Sequence, residues 1–458
     1  MNNVLPRVWT VSNITQVVED IRPGFACGEK NVEEGFPHLR MNNIGEEGDL
    51  VLDLLRKVPR EKVKTQNILQ KGDLLICTTN SSKLVGKVAL FNIPGDYAFS
   101  NHLTRLRPNS KRILGEFLKW NLWLQWKSGV FDDKCKHWVN QSTIPKEVLR
   151  EIEIILPPLN EQHRIVAKLE KLLAKVDACQ ERLEKIPTTL KRFRQSVLAA
   201  ACSGRLTANW RGNDSFADGI PDHWKKCKLS DLSVLITKGA SPKWQGVSYA
   251  AQGILFVTSE NVGSSKMLLG TRKYVESKIN EIQPRSILKK GDLLTNIVGA
   301  SIGRSAIYDL DEVANINQAV ALIRLKDSVD KNYILQVLNS PILVDHMNAE
   351  KVDVARANLS LKDVANFPIL LPPLPEQQEI VCRVEALFKI ADQIEERYKK
   401  AKTYIDKLTQ SILAKAFRGE LVPQDPNDKP ASALLRKIAD SGQTFDSCRK
   451  SSGKKERS

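Results

Sequence analysis

The chain contains one half of itself twice, and that repeat limits what it can fold into. Leu156-Pro157-Pro158-Leu159-Asn160-Glu161-Gln162 returns 215 residues later as Leu371-Pro372-Pro373-Leu374-Pro375-Glu376-Gln377. Gln195-Ser196-Val197-Leu198-Ala199 returns at the same offset as Gln410-Ser411-Ile412-Leu413-Ala414. Leu5-Pro6 with Trp9 maps in the same way onto Ile220-Pro221 with Trp224. The period is far too long for a solenoid unit and has the size of a whole domain. The chain is therefore a tandem duplication, and whatever it recognises is expected to be recognised twice.

Each copy divides into two kinds of segment. Residues 1–155 carry short β-branched and apolar runs such as Asp73-Leu74-Leu75-Ile76-Cys77-Thr78-Thr79, punctuated by Gly, Pro and Asn. A helix is expected near 114–127. Residues 156–207 then read as helix. The pattern repeats over 208–370 (mixed) and 371–422 (helical). Residues 204–219 have the composition of a linker. The tail, 423–458, holds a short helical stretch near 431–439 and ends in Ser, Gly and Lys, a composition that favours disorder.

Both helical segments open on Pro-Pro-Leu-x-Glu-Gln. Proline is tolerated there because its missing N–H has no helical partner to lose, and the acid suits the positive helix end. A heptad stripe follows. Ile165, Leu169, Leu172, Val176, Cys179, Leu183 and Ile186 are spaced alternately by four and three. Ile380, Val384, Leu387, Ala391, Ile394, Tyr398 and Ala401 take the same places 215 residues on. A stripe sustained this long predicts that the two helices pair as a coiled coil. From Ile165 to Val197 the rise is about 48 Å. Pro187 has no counterpart, since Lys402 stands at its offset, so the first helix should kink or break there.

The mixed segments agree in frame and differ in content. Lys71-Gly72-Asp73-Leu74-Leu75 matches Lys290-Gly291-Asp292-Leu293-Leu294. A polar loop ending in glycine and a cation follows each, Thr78 to Lys87 in one copy and Thr295 to Arg304 in the other. Base edges are read by Arg, Lys, Asn, Gln, Ser and Thr, and phosphates are met by Lys, Arg and backbone amides. Candidate nucleic-acid contacts are therefore Ser81, Ser82, Lys83, Lys87 and Arg105 in the first copy. In the second they are Lys238, Lys243, Asn296, Ser301 and Arg304. Trp120, Trp123 and Trp126 recur every three residues on the expected helix. They suit a base-stacking platform or a buried helix face, and the spacing favours the buried face.

Charge points the same way. Lys and Arg number 69 against 53 Asp and Glu, a net charge of +16, which suits a polyanionic partner. Chemistry of its own is hard to find. No phosphate-binding G-x-x-x-x-G-K-[ST] loop and no G-x-G-x-x-G turn occur, nor an Asn-Pro-Pro-aromatic tetrapeptide of an amino-methyltransferase. The histidines at 38, 102, 137, 163, 223 and 346 show no ligand spacing, and no two of the eight cysteines sit as C-x-x-C. Neither a catalytic residue nor a metal site is expected. No charged leader with an apolar core opens the chain, and no apolar run reaches membrane-spanning length; a cytoplasmic protein is expected.

The paired Leu-Pro-Pro-Leu-x-Glu-Gln segments, the paired heptad helices and the helix endings together resemble the specificity subunit of type I restriction–modification systems. The endings are Lys191-Arg192-Phe193-Arg194-Gln195-Ser196-Val197-Leu198 through Gly204-Arg205-Leu206-Thr207, and Leu408-Thr409-Gln410-Ser411-Ile412 through Phe417-Arg418-Gly419-Glu420-Leu421. The resemblance implies an α+β fold of two mixed α/β target recognition domains in tandem. Each would be followed by a long helix, the two pairing as an antiparallel coiled coil. It implies that each domain reads one half of a split, asymmetric site in double-stranded DNA, with the helices setting the unread spacer. Two modification subunits would dock on the helices, bringing S-adenosylmethionine and adenine methylation, and motor-nuclease restriction subunits would join them. This chain would carry no cofactor and no catalysis. Ile165, Leu169, Leu172, Val176, Leu183, Ile380, Val384, Leu387, Ile394 and Tyr398 would serve the coiled coil and the docking of those partners. A helix pair of about 48 Å spans half-sites about one duplex turn apart, roughly 34–36 Å.

Overall fold

The strand Leu74–Cys77 is apolar at every position, and a strand so composed must be covered on both faces. The computed structural model covers it in that way. It describes residues 5–28, 32–137, 139, 141–212, 216–217, 220–349 and 358–439. The chain forms two units, residues 1–182 with 401–458, and residues 183–400.

In the first unit a four-stranded antiparallel sheet runs in the order Val18–Pro23, Leu103–Pro108, Leu74–Cys77, Val88–Leu90. Leu74 and Ile76 face a core that contains Phe117, Leu118, Leu122 and Trp123 of helix Gly115–Lys127. Leu75 and Cys77 face the other way, onto a core with Leu39, Phe91 and Phe99. That core lies under a small sheet, Arg56–Val58, Phe36–Leu39 and Ala98–Phe99, whose last pair is parallel. The three tryptophans take the buried-face reading. Trp123 is 2% exposed, and the rings meet edge to face at 5.9 and 6.5 Å. Two of the indole N–H groups are used inside the unit: Trp123 donates to Glu46 O at 2.8 Å and Trp126 to Lys83 O at 3.2 Å, while Trp120 is half-buried.

The second unit repeats the plan. Its sheet runs Ser233–Lys238, Val320–Leu325, Leu293–Asn296, Ser305–Ile307, again antiparallel. Leu293 and Leu294 face two different cores, as their counterparts do. The two-stranded ribbon Thr10–Asn13 with Glu153–Leu156 returns as Lys225–Lys228 with Pro368–Leu371, each at an offset of 215. The Asp of the Lys-Gly-Asp turn has one task in both copies. Asp73 takes two bonds from the Arg107 guanidinium (2.7 and 2.8 Å), and Asp292 takes two from Arg324 (both 2.7 Å). Each Asp also accepts the backbone N–H three residues back. The repeated residues are thus frame, tying turn to sheet.

The first long helix is divided. A single residue, Lys185, separates Leu159–Glu184 from Ile186–Cys202, with Pro187 in the first turn of the second piece. Proline removes the N–H that would have continued the ladder. The later helix, Leu374–Phe417, is unbroken. In the first unit Ile165, Leu169 and Leu173 share a core with Leu413, Ala416 and Phe417. In the second, Val197, Leu198 and Ala201 share one with Ile380, Val381 and Val384. There Arg194 reaches Asp392 (2.6 Å) and Glu395 (3.0 Å), so the partner number rises as its own falls and the pairing is antiparallel. Val176 is buried with Ile165 and Leu169, while Leu172, Leu183, Leu387 and Tyr398 are half-buried. Ile394 is 41% exposed. Leu173, outside the strict heptad stripe, is buried instead of Leu172. A straight helix turns by 3.6 residues and drifts off a 3.5-residue repeat.

The tail beyond 422 is partly folded. Ala431 is buried in the first unit's core, its N–H donates to Val8 O at 2.9 Å, and a helix spans Ser432–Ala439. Residues 440–458, where the composition favours disorder, lie outside the described residues. No described helix is long and apolar enough to cross a membrane.

Candidate nucleic-acid interface

Strand register gathers the variable loops. In the first sheet Pro23 pairs with Thr104, Cys77 with Leu103 and Ile76 with Val88. Segments 24–28, 78–87 and 100–102 therefore leave from the same end. Thr79–Asn80 extends beyond that end and pairs with Ser142–Thr143, which pairs with Lys136–His137. In the second sheet Lys238 and Thr295 both pair with Ala321, and Thr295 with Ser305. Segments 239–248, 297–304 and 317–319 thus share one end as well. The bond from Ile144 N–H to Thr78 O (2.9 Å) returns as Leu359 N–H to Ile297 O (2.9 Å).

A glycine lets each first strand leave the sheet. A Cβ on Gly24 would lie 2.2 Å from Phe99 O, and one on Gly239 would lie 1.7 Å from Ile316 O. The two positions are 215 apart. No other residue fits where the backbone passes so closely over a neighbouring strand.

The ten candidate contacts separate at this surface. Ser81, Lys83, Lys243 and Arg304 are exposed and Ser82 and Ser301 half-buried, all on the loops just described, and Lys238 is exposed at the end of its strand. Ser82 and Lys83 line an open depression with Lys127 and Asp132. The remaining three are buried and bonded within their own domains. The Lys87 ammonium donates to Ile44 O. Arg105 donates to Asp20 and to the carbonyls of Gln66 and Ile68 (3.1 and 3.2 Å). Asn296 donates to Ser259 O at 2.9 Å. Burial holds the Asp20 carboxyl up, but bonds from Arg105 and Arg22 outweigh it and leave it below its ordinary value. These polar residues hold loops in place, a task that composition does not distinguish from recognition.

Two groups at the same end carry suitable chemistry and were not singled out by the sequence. Lys62, Lys64 and Gln66 line an open cleft with Arg22, Gly24, Phe25 and Ala26. Lys134, Lys136 and His137 are exposed on or beside the hairpin that pairs with Thr79–Asn80. The cation-rich run Arg56-Lys57 through Arg60, Lys62 and Lys64 was the available signal for the first group. The second needed the pairing itself. One trio there could hold a cation: ligand atoms of Asp132, Cys135 and His137 lie within 4.8 Å of one another. Asp132 and His137 are exposed, and His137 Nδ1 is 3.1 Å from Ser142 Oγ.

The repeated helix motif anchors each mixed domain to its long helix. Glu161 is buried and accepts the Trp9 indole N–H at 2.8 Å. Glu376 is buried and accepts the Trp224 indole N–H at 3.0 Å. The following glutamines span the joint. Gln162 accepts Leu114 N–H (2.9 Å) and donates to Pro157 O (3.0 Å). Gln377 accepts Asp330 N–H (2.9 Å) and donates to Pro372 O (2.8 Å). Helix ends close on the same tryptophans. Gly419 sits against Pro6 and Trp9, and Gly204 against Pro221 and Trp224, both at φ +76°.

The two anchors differ in charge. Glu376 also accepts Thr207 (2.8 Å), His223 (3.0 Å) and the buried Arg211 guanidinium. Burial would raise its carboxyl, but the bonds from His223, Thr207, Arg211 and Trp224 prevail and hold it below the ordinary value. Among the described residues Glu161 accepts from neutral donors, Trp9 and Gln424, while Arg164 is paired with Asp428 at 2.7 Å. Burial prevails there, and its carboxyl is raised.

The family model described as "Type I restriction modification DNA specificity domain" matches twice, over residues 6–188 and 221–402. The specificity subunit of the type I restriction enzyme EcoKI from Escherichia coli K12 is 33% identical over 460 residues, 95% of each chain. That of StySPI from Salmonella potsdam is 30% identical over 458 residues, again 95% of each. Among solved structures, the crystal structure of the HsdS subunit from Thermoanaerobacter tengcongensis superposes with a TM-score of 0.61 at 21% identity, covering 91% of this chain and 98% of that one. A chain from a study of complex assembly and conformational transition in the type I R-M system gives a TM-score of 0.67 at 21% identity, covering 91% and 99%.

Proposed function

The chain belongs to the DNA-specificity subunits of type I restriction–modification systems, and from that membership we propose how its parts divide the work. Its function is DNA-sequence specificity. Each domain reads one half of a split site through the loop-bearing end of its sheet. In the first domain Ser81, Lys83, Lys134, Lys136 and His137 face outward there; in the second, Lys238, Lys243 and Arg304 do. Lysines on such a surface neutralise phosphates and set register, while hydroxyl, imidazole and guanidinium groups can donate to base edges in the major groove. The observation that carries this reading is the contrast within the repeat. Sheet, turn aspartates, exit glycines and anchors recur at nearly constant offset, and the exposed side chains of the loops do not. Two unlike readers on like frames suit an asymmetric site.

The helices hold the readers a set distance apart and offer the docking surface for two modification subunits. Those subunits would bring S-adenosylmethionine and adenine methylation, and restriction subunits would join for cleavage. This chain then supplies no cofactor and no catalytic group, and it works where cellular DNA is, in the cytoplasm. Exchange of residues 1–155 for the corresponding domain of another specificity subunit tests the reading. Mapping of methylated adenines should show one half-site replaced, with the other half and the spacer length kept. Replacement of both halves, or of neither, would refute it.

A further inference from the structure

Among the described residues on the loops that leave the second domain's sheet, Trp244 is the most exposed large apolar side chain. Trp244 is 83% exposed. Single apolar residues on a surface are ordinary, but this one is mounted rather than loose. It lies in the one-turn helix Pro242–Gln245, in the segment that follows exit glycine Gly239. Trp244 N–H donates to Ser241 O at 3.1 Å, Gly246 N–H to Lys243 O at 3.3 Å and Val247 N–H to Pro242 O at 3.0 Å. Both feet of the turn are buried. Pro242 is covered, and Val247 packs in a small core with Phe256, Val275 and Ile279. A rigid post lowers the entropy lost when the indole meets a partner.

The surroundings choose that partner. No Asp or Glu occurs from Leu232 to Ser259, and Lys238 and Lys243 flank the turn. The carboxylate seen against this segment is Glu276, whose backbone and side chain bond to Ser248 at the far end of the turn. Basic side chains around an apolar one suit a polyanion with apolar surfaces of its own. The deoxyribose edges, thymine methyls and base faces of a DNA groove are such surfaces.

We propose that Trp244 is an apolar contact of the second domain with the groove of its half-site, with Lys243 beside it on phosphate. The indole packs against sugar and base, or wedges at a base step, and so favours half-site sequences that accept it. Lys243 adds attraction without sequence preference. This rests on the reading of the loop-bearing sheet end given above and names the residue through which that end meets DNA in the second domain.

The test uses the complete chain assembled with its modification subunits. The probes are a duplex carrying the site found by methylated-adenine mapping and duplexes with either half-site scrambled. Trp244→Ala should weaken binding to the intact site about 10- to 100-fold, by the measured worth of aromatic contacts with bases. It should bind the duplex scrambled in the second domain's half-site nearly as native does, and its salt dependence should be unchanged. Trp244→Phe should recover most of the loss. Lys243→Ala should weaken both duplexes alike and reduce the salt slope by roughly one. Native-like affinity of Trp244→Ala for the intact site overturns the proposal. So does loss of the modification subunits from the Trp244→Ala complex, which would assign the indole to a protein partner. A native complex that binds every scrambled duplex as tightly as the intact site would instead overturn the underlying reading of the sheet end.

Discussion

Replacing each motif glutamate by glutamine should expose how differently two equivalent anchors are built. The change keeps size and shape. At position 161 it should cost little. Trp9 can still donate to the remaining carbonyl oxygen, and the Gln424 amide can turn so that it accepts from the new NH2. One rearranged hydrogen bond is worth about 1 kcal/mol. At position 376 no such repair exists. The carboxylate oxygens receive two donors each, Thr207 and Arg211 on one, His223 and Trp224 on the other. Glutamine must turn an NH2 toward one pair, and Arg211, with its side chain 2% exposed, loses its buried counter-charge. Breaking a buried pair from one side costs about 3–5 kcal/mol. For units of this size each kcal/mol moves Tm by about 2–4 °C. Glu376→Gln should therefore lower the unfolding of the second unit by about 6–12 °C or more, and Glu161→Gln should move the first by only about 2–4 °C. The pH dependence should separate them further. The Glu376 carboxyl is lowered in the folded state, so its stabilisation is present above the unfolded value near 4.5 and is lost as pH falls through the folded value. The Glu161 carboxyl is raised, so its contribution is present below that unfolded value and is lost as pH rises through the folded one. Each glutamine variant should flatten its own unit's profile. Calorimetry from about pH 3 to pH 8 reads both effects. Equal shifts for the two variants would refute the reasoning.

Removing one heptad from both long helices, about 10.5 Å of rise, should shorten the preferred spacer by about 3 base pairs and leave both half-sites unchanged; methylation mapping that returns the native spacer counts against the ruler. Gly204→Val and Gly419→Val should each destabilise by more than about 1–3 kcal/mol. The backbone there is left-handed, and a Cβ would lie 2.6 Å from the Pro221 ring or 2.4 Å from that of Pro6. Denaturant unfolding would show it, and a neutral result would mean that the helix ends do not close on these rings. Trp123→Ala should cost about 3–5 kcal/mol by emptying a buried site while leaving the methylated sequence unchanged; a shift of sequence preference would restore the stacking-platform reading.

Much of the frame was legible in the chain. The repeated motif placed both helix starts, Pro187 marked the division of the first helix, and the apolar run at 74–77 marked a strand. The candidate interface was legible only as a neighbourhood. The loops at 78–87 and 295–304 do leave from the loop-bearing sheet ends, yet Lys87, Arg105 and Asn296 are spent inside the fold, while Lys62, Lys64, Lys136 and Trp244 stand out unannounced. A lysine has the same letter whether its ammonium meets a carbonyl or solvent, and the carbonyl that takes Lys87 belongs to Ile44, 43 residues away.

By itself, then, the sequence determined the duplication, the helices and the equality of the two frames. Those are written in spacing and in the match of one stretch to another, and both survive without coordinates. Tertiary structure alone decided which unit each segment joins and which polar side chains remain free to recognise. Residues 401–439 complete the first unit because Phe417, Gly419 and Ala431 fill space beside Phe117, Trp9 and Val8. Packing of that kind is a property of surfaces brought together over hundreds of residues, and no local pattern encodes it.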